Sequence, residues 1–156
     1  RAAHWTALSA ARAARLATLE APTGVITPEY LIARLRPFID AGTIVLSEAI
    51  SSYHVVLDHL RPTRAGSVVA SGGGSLGWHG GAAIGAKLAR PDRTVVAIAG
   101  DGSFMFSVPS SVHWMARRYA TPFLTIVLNN GGWKSPKLST LALHPDGYAA
   151  RARDIG

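Results

Sequence analysis

At 156 residues the chain has room for one domain, or one domain with an appendage, and 48% hydrophobic against 16% charged residues excludes a disordered segment. It has no cysteine, which removes disulfides, thiolate metal sites and a cysteine nucleophile, and no stretch approaches the roughly 18 apolar residues of a membrane span. The net charge is +7, yet the arginines are scattered without a long run or interleaved aromatics. That pattern points away from nucleic acid and towards an anionic ligand or an acidic neighbour.

Residues 2–20 are rich in Ala, Leu and Arg and read as a helix, broken by Ala21-Pro22-Thr23-Gly24. Residues 1–24 are therefore predicted to be a helical linker from a preceding domain. Residues 25–156 are predicted to form one domain, truncated at its C-terminus. Arg1 in place of an initiator Met, and an Arg153-Asp154-Ile155-Gly156 end without a natural stop, suggest a piece of a longer protein.

Thr27-Pro28-Glu29 combines a capping hydroxyl, Pro at the first helical position and an early acid. It predicts a helix carrying Tyr30, Leu31, Leu35 and Phe38 and ending near Asp40-Ala41-Gly42. Residues 43–46 form a short apolar strand of the kind buried on both faces. A helix over 51–60, a strand over 67–70 and a small-residue helix over 78–90 follow. The run 94–99 is the strongest strand signal. A helix over 108–119 is expected, capped by Ser107, with Trp114, Met115 and Tyr119 in the core. The fully apolar strand 123–128 completes the pattern. Such alternation specifies an α/β fold: an open parallel sheet with helices on both faces. Ligands of such sheets bind outside the strand carboxyl ends, where the chain's Gly- and Ser-rich segments fall.

Two of those segments carry hard oxygen donors. Gly100-Asp101-Gly102-Ser103 and Asn129-Asn130-Gly131-Gly132 each follow an apolar strand directly, so a parallel sheet brings them to one edge. Mg²⁺ prefers oxygen ligands completed by phosphate and water. One Asp and one Asn cannot cage it, so the ligand must supply negative oxygens. Glycines beside Asp101 let a phosphate approach backbone N–H groups. Taken singly, Asp101 would cap a helix, the Asn-Gly run would be a turn, and Leu76 would be core.

Gly-Asp-Gly, a helix, then an apolar strand closing in Asn-Asn with Asp101 and Asn130 29 positions apart resembles the signature of thiamine-diphosphate (ThDP) enzymes. Gly74-Ser75-Leu76-Gly77 before an Ala/Gly-rich helix is similar to the loop that supports the bent coenzyme in pyruvate decarboxylase and its relatives. Glu48-Ala49-Ile50-Ser51-Ser52 resembles the family's Glu-x-x-Ser/Thr segment, and the similarity spans residues 42–133.

The resemblance implies that Asp101, the Asn130 side chain and the Gly132 carbonyl ligate Mg²⁺. It implies that Ile50, Ser51, Gly102, Ser103 and the Trp133 backbone contact the diphosphate. Leu76 would be the apolar wedge between the coenzyme rings, with the Gly74 carbonyl accepting from the aminopyrimidine. It implies a 2-oxo acid decarboxylase or carboligase of the benzoylformate decarboxylase and acetolactate synthase group. The activating Glu is expected on a missing pyrimidine-binding domain of a second subunit, in a homodimer or homotetramer located in the cytoplasm. No catalytic side chain is then expected within these residues; His79, beside the wedge, is open to either a packing or a substrate-facing role. FAD stays open as a further cofactor of the full-length enzyme.

The other histidines, His4, His54, His59, His113 and His144, are expected to be unpaired surface or packing residues. Residues 72–77 also fit G-x-G-x-x-G, but the region about 20 residues on is an apolar strand rather than the acid that a nicotinamide ribose requires. A dinucleotide-binding dehydrogenase domain and a non-catalytic module of the ThDP fold are the alternatives.

Overall fold

Four parallel strands form the centre of the molecule, in the order β2-β1-β3-β4: β1 (Thr43–Glu48), β2 (Val68–Ala70), β3 (Thr94–Gly100) and β4 (Leu124–Leu128). The computed structural model describes residues 2–152; Arg1 and the Arg153-Asp154-Ile155-Gly156 end lie outside the described residues. Side chains alternate across the inner strands, which splits the core in two. Val45, Val96 and Ile98 point to one face, against Ile32 of α2 (Pro28–Leu35) and Val56 and Leu60 of α3 (Tyr53–Leu60). Leu46, Val95 and Ala97 point to the other, against Ala83 of α4 (Trp78–Ala89). Burying each large aliphatic side chain contributes about 1.5–3 kcal/mol. The expected parallel sheet covered by helices on both faces is the observed fold.

Small residues let the α4 face pack closely. A Cβ on Gly80 would come within 2.7 Å of Val112 on α6 (Pro109–Arg118), so glycine permits that helix contact. The first helix, α1 (Ala2–Leu19), is tied to the α3 side through its end. Glu20 accepts hydrogen bonds from Arg36 and Arg61 and pairs with His59 Nδ1 at 3.0 Å. His59 is 1% exposed and paired, contrary to the sequence expectation; its partner lies 39 residues away, beyond any local pattern.

Three further expectations need correction. The helix after Thr27 stops at Leu35 and passes into a 3₁₀ turn over Arg36–Phe38, because Pro37 has no N–H to continue the ladder. Phe38 is consequently exposed. The segment predicted as one helix capped by Ser107 is preceded by its own helix, α5 (Asp101–Phe106). Ser107 ends α5, its hydroxyl donating to the Phe104 carbonyl, and Val108 starts α6 at φ 53°. Trp114 and Met115 on α6, and Tyr119 just after it, are exposed rather than in the core, as are Leu124 and Val127 on the outer strand β4.

Two helices follow β4: α7 (Lys134–Leu143) and α8 (Tyr148–Ala152). No helix is long and apolar enough to cross a membrane among the described residues.

Candidate active site

From β1 the chain turns outward to β2, and from β3 it turns the opposite way to β4. The connections leaving β1 and β3 therefore diverge, and a crevice opens between the carboxyl ends of these neighbouring strands, the topological switch point of an open parallel sheet. A cleft of about 290 Å³ lies there. Its walls come from four segments: residues 49–52 after β1, Gly74 and Leu76 from the loop before α4, residues 100–103 after β3, and Asn130 with residues 132–136 after β4.

The ten residues expected to hold a metal and coenzyme all line this cleft: Ile50, Ser51, Gly74, Leu76, Asp101, Gly102, Ser103, Asn130, Gly132 and Trp133. Strand register explains the convergence of the last two segments. Gly100 and Leu128 are partners on adjacent strands, so Asp101 and Asn130 stand one and two residues past a paired position. Adjacent strands lie about 4.8 Å apart, which puts both chain exits within reach of one small ion.

The two asparagines divide their work. Asn129 Oδ1 accepts from the Gly131 N–H at 3.0 Å, a local turn that Gly131 completes at φ 84°. That leaves the Asn130 carboxamide to the cleft. Asp101 does not cap α5: the cap position is Gly100, and no side-chain cap bond is made. Among the described residues the Asp101 carboxylate has no hydrogen bond or ion pair. No three His, Cys, Asp or Glu side chains gather to hold a metal among them either. A cation in this cleft would therefore draw on one carboxylate, one carboxamide, a carbonyl and the ligand's own oxygens. That donor set suits Mg²⁺ on a diphosphate.

Gly102 leaves room for a neighbouring ring. A Cβ there would overlap the Trp133 indole, which rests on the first turn of α5 and meets Phe106 edge-on at 5.7 Å. Ser103 is buried, and its hydroxyl donates to the Glu48 carbonyl at 3.1 Å, tying the β3 exit to the β1 exit.

His79 does not line the cleft. It is 1% exposed, behind the 74–77 loop, with Nδ1 2.8 Å from the Glu48 carboxylate and its ring stacked on Phe104 at 6.3 Å. That burial leaves it no free face for a substrate. Glu48, also 1% exposed, accepts from the backbone N–H groups of Gly77 at 2.5 Å and His79 at 2.7 Å. Burial raises the Glu48 pKa, but the His79 ring and these two N–H groups outweigh it and hold the carboxyl below the usual range. The sequence carried one signal for this cluster: an acid ending an apolar, two-sided strand must find donors. It carried none for Ser135, Pro136 and Ser139 of α7, which also line the cleft. Asp92, the nearest acid for a nicotinamide ribose, pairs with Arg90 at 2.7 Å in the turn entering β3, at the amino ends of the strands and away from the cleft.

The family model described as thiamine pyrophosphate enzyme, C-terminal TPP binding domain, matches residues 49–152. The chain is 31% identical over 108 residues to benzoylformate decarboxylase of Pseudomonas aeruginosa, covering 69% of this chain and 20% of that protein. It is 32% identical over 110 residues to acetolactate synthase isozyme 2 large subunit of Escherichia coli, covering 70% and 20%. Among solved structures, the thiamine diphosphate-dependent 4-hydroxybenzoylformate decarboxylase of Rhodococcus jostii RHA1 matches with a TM-score of 0.71 and 28% identity, over 81% of this chain and 24% of that one. The chain spans about a fifth of the length of the curated relatives it matches.

Proposed function

The chain belongs to the family of the C-terminal TPP-binding domain of thiamine pyrophosphate enzymes, and from that premise we propose that it holds Mg²⁺ and the diphosphate of ThDP as half of the active site of a 2-oxo acid decarboxylase or carboligase. The observation that carries this reading is the meeting of Asp101, Asn130 and Gly132 with Gly74 and Leu76 around one cleft at the sheet's switch point.

When bound, ThDP supplies the carbon nucleophile and electron sink for chemistry at a 2-oxo acid. The protein's share is positional. Asp101, Asn130 and the Gly132 carbonyl would hold the cation. The free N–H groups opening α5, with Ser51 and the backbones of Ile50 and Trp133, would take the diphosphate. Leu76 would support the coenzyme from the opposite wall, with the Gly74 carbonyl on its aminopyrimidine. The acid that activates the coenzyme would come from the pyrimidine-binding domain of a second subunit, in a homodimer or homotetramer.

Two measurements test this. ThDP titrated into the chain is expected to bind with Mg²⁺ and not with EDTA; uptake of NAD indifferent to Mg²⁺ would point instead to a dinucleotide domain. These 156 residues alone are expected to give no turnover, so steady decarboxylation of a 2-oxo acid by them would contradict the divided site.

A further inference from the structure

We infer that Glu48 and His79 are positioning residues of the coenzyme site, which lock the 74–77 loop at a set distance from the wall that takes the diphosphate. The inference rests on the coenzyme reading above and adds to it a function for two buried groups that do not line the cleft.

Gly77, the N-cap position of α4, has no side chain to cap the free N–H groups of the first turn. The cap comes from 29 residues upstream: the Glu48 carboxylate accepts from Gly77 N–H and His79 N–H. An ionised carboxylate only accepts, so His79 Nδ1 carries the proton it shares with Glu48. A carboxylate in so buried a place is tolerated only because these three donors surround it.

His79 is held from its other side. Its ring stacks on Phe104, which meets His113, which stacks on Phe123, a ladder running from α4 across α5 and α6 to the start of β4. Glu48 also reaches the opposite wall through its own carbonyl, which accepts from Ser103. One residue thus joins the loop carrying Leu76 to the helix turn carrying Asp101. Gly77 allows no slack: at φ 85° a Cβ would come 2.7 Å from the Phe106 carbonyl oxygen. Leu76 precedes that locked position directly.

The clamp predicts a split between two ligands. Mg²⁺-pyrophosphate probes the metal and diphosphate wall alone, whereas Mg²⁺-ThDP also needs the 74–77 loop in place. Calorimetric titration of the chain should show His79→Ala weakening ThDP by about tenfold or more while pyrophosphate changes by less than about twofold. His79→Asn, which restores an N–H where Nδ1 stood, should recover most of the ThDP affinity. Equal loss on both ligands, no loss on either, or no recovery with Asn would overturn the clamp. Should His79→Ala prove unfolded by circular dichroism, Phe104→Leu removes the stacking face but leaves the Glu48 bond. It must then show the same split at smaller size, and equal loss on both ligands would again overturn the clamp. Wild-type chain that binds no ThDP overturns the coenzyme reading itself, an outcome recognisable because no ThDP affinity exists to be lost.

Discussion

Gly102 and Gly77 both lie beside the cleft, yet their replacement by alanine should have unlike results. At Gly102 a Cβ meets the Trp133 indole, a half-exposed side chain that can swing away. Gly102→Ala should therefore shift the tryptophan fluorescence while costing under about 1 kcal/mol of stability. At Gly77 the obstacle is the Phe106 backbone, and the left-handed φ adds strain. Gly77→Ala should cost about 2 kcal/mol or more, read from chemical denaturation. The reverse order would contradict the packing described. At this scale the sequence was most informative where chemistry and backbone needs coincide, as at Asp101, Gly102 and Asn130. It was least informative for pairs distant along the chain. Glu48 with His79, and Glu20 with His59, depend on contacts 31 and 39 residues apart that no spacing rule reveals.

Among the elements, α1 is held to the α2–α3 side by a charged cluster at its end, which makes its docking sensitive to acid. The Arg36 hydrogen bonds outweigh burial and, with His59 and the charge of Arg61, hold the Glu20 carboxyl down at about 2. A carboxyl lowered in the folded state stabilises it above its ordinary pKa. That contribution fades as the pH falls from the ordinary value through about 2. Glu20→Gln should cost about 1–2 kcal/mol at pH 7, allowing for solvent screening around Arg61, and almost nothing near pH 2. Denaturation of both proteins across that range checks it; a pH-independent difference would refute the ion-pair account. The inner strands β1 and β3 were legible because both faces are apolar and both are covered. Strand β4 has the same apolar pattern but is an outer strand of the described sheet, and composition alone cannot distinguish a covered strand from an uncovered one. The α5–α6 break is not legible in the sequence because it depends on Val108 adopting a left-handed conformation that β-branched residues seldom take.

For the molecule as a whole, topology does most of the work. A strand order that reverses between β1 and β3 opens a crevice at their carboxyl ends, and four chain segments separated in sequence supply its walls. Alternation of short apolar strands with helices was enough to infer that crevice, and two oxygen-bearing exits were enough to infer that Asp101 and Asn130 meet in it. Ser135, Pro136 and Ser139 of α7 could not be inferred, because nothing in them announces a ligand. In the proposed function Asp101 and Asn130 serve one ion. Calorimetric titration of ThDP with Mg²⁺ into Asp101→Ala, Asn130→Ala and the double variant tests it most directly. If the two residues share the ion, each single change should weaken Mg²⁺-dependent binding by about tenfold or more, and the double change should add little to the worse single. Unchanged binding in either single variant, or losses that simply add, would contradict a common metal.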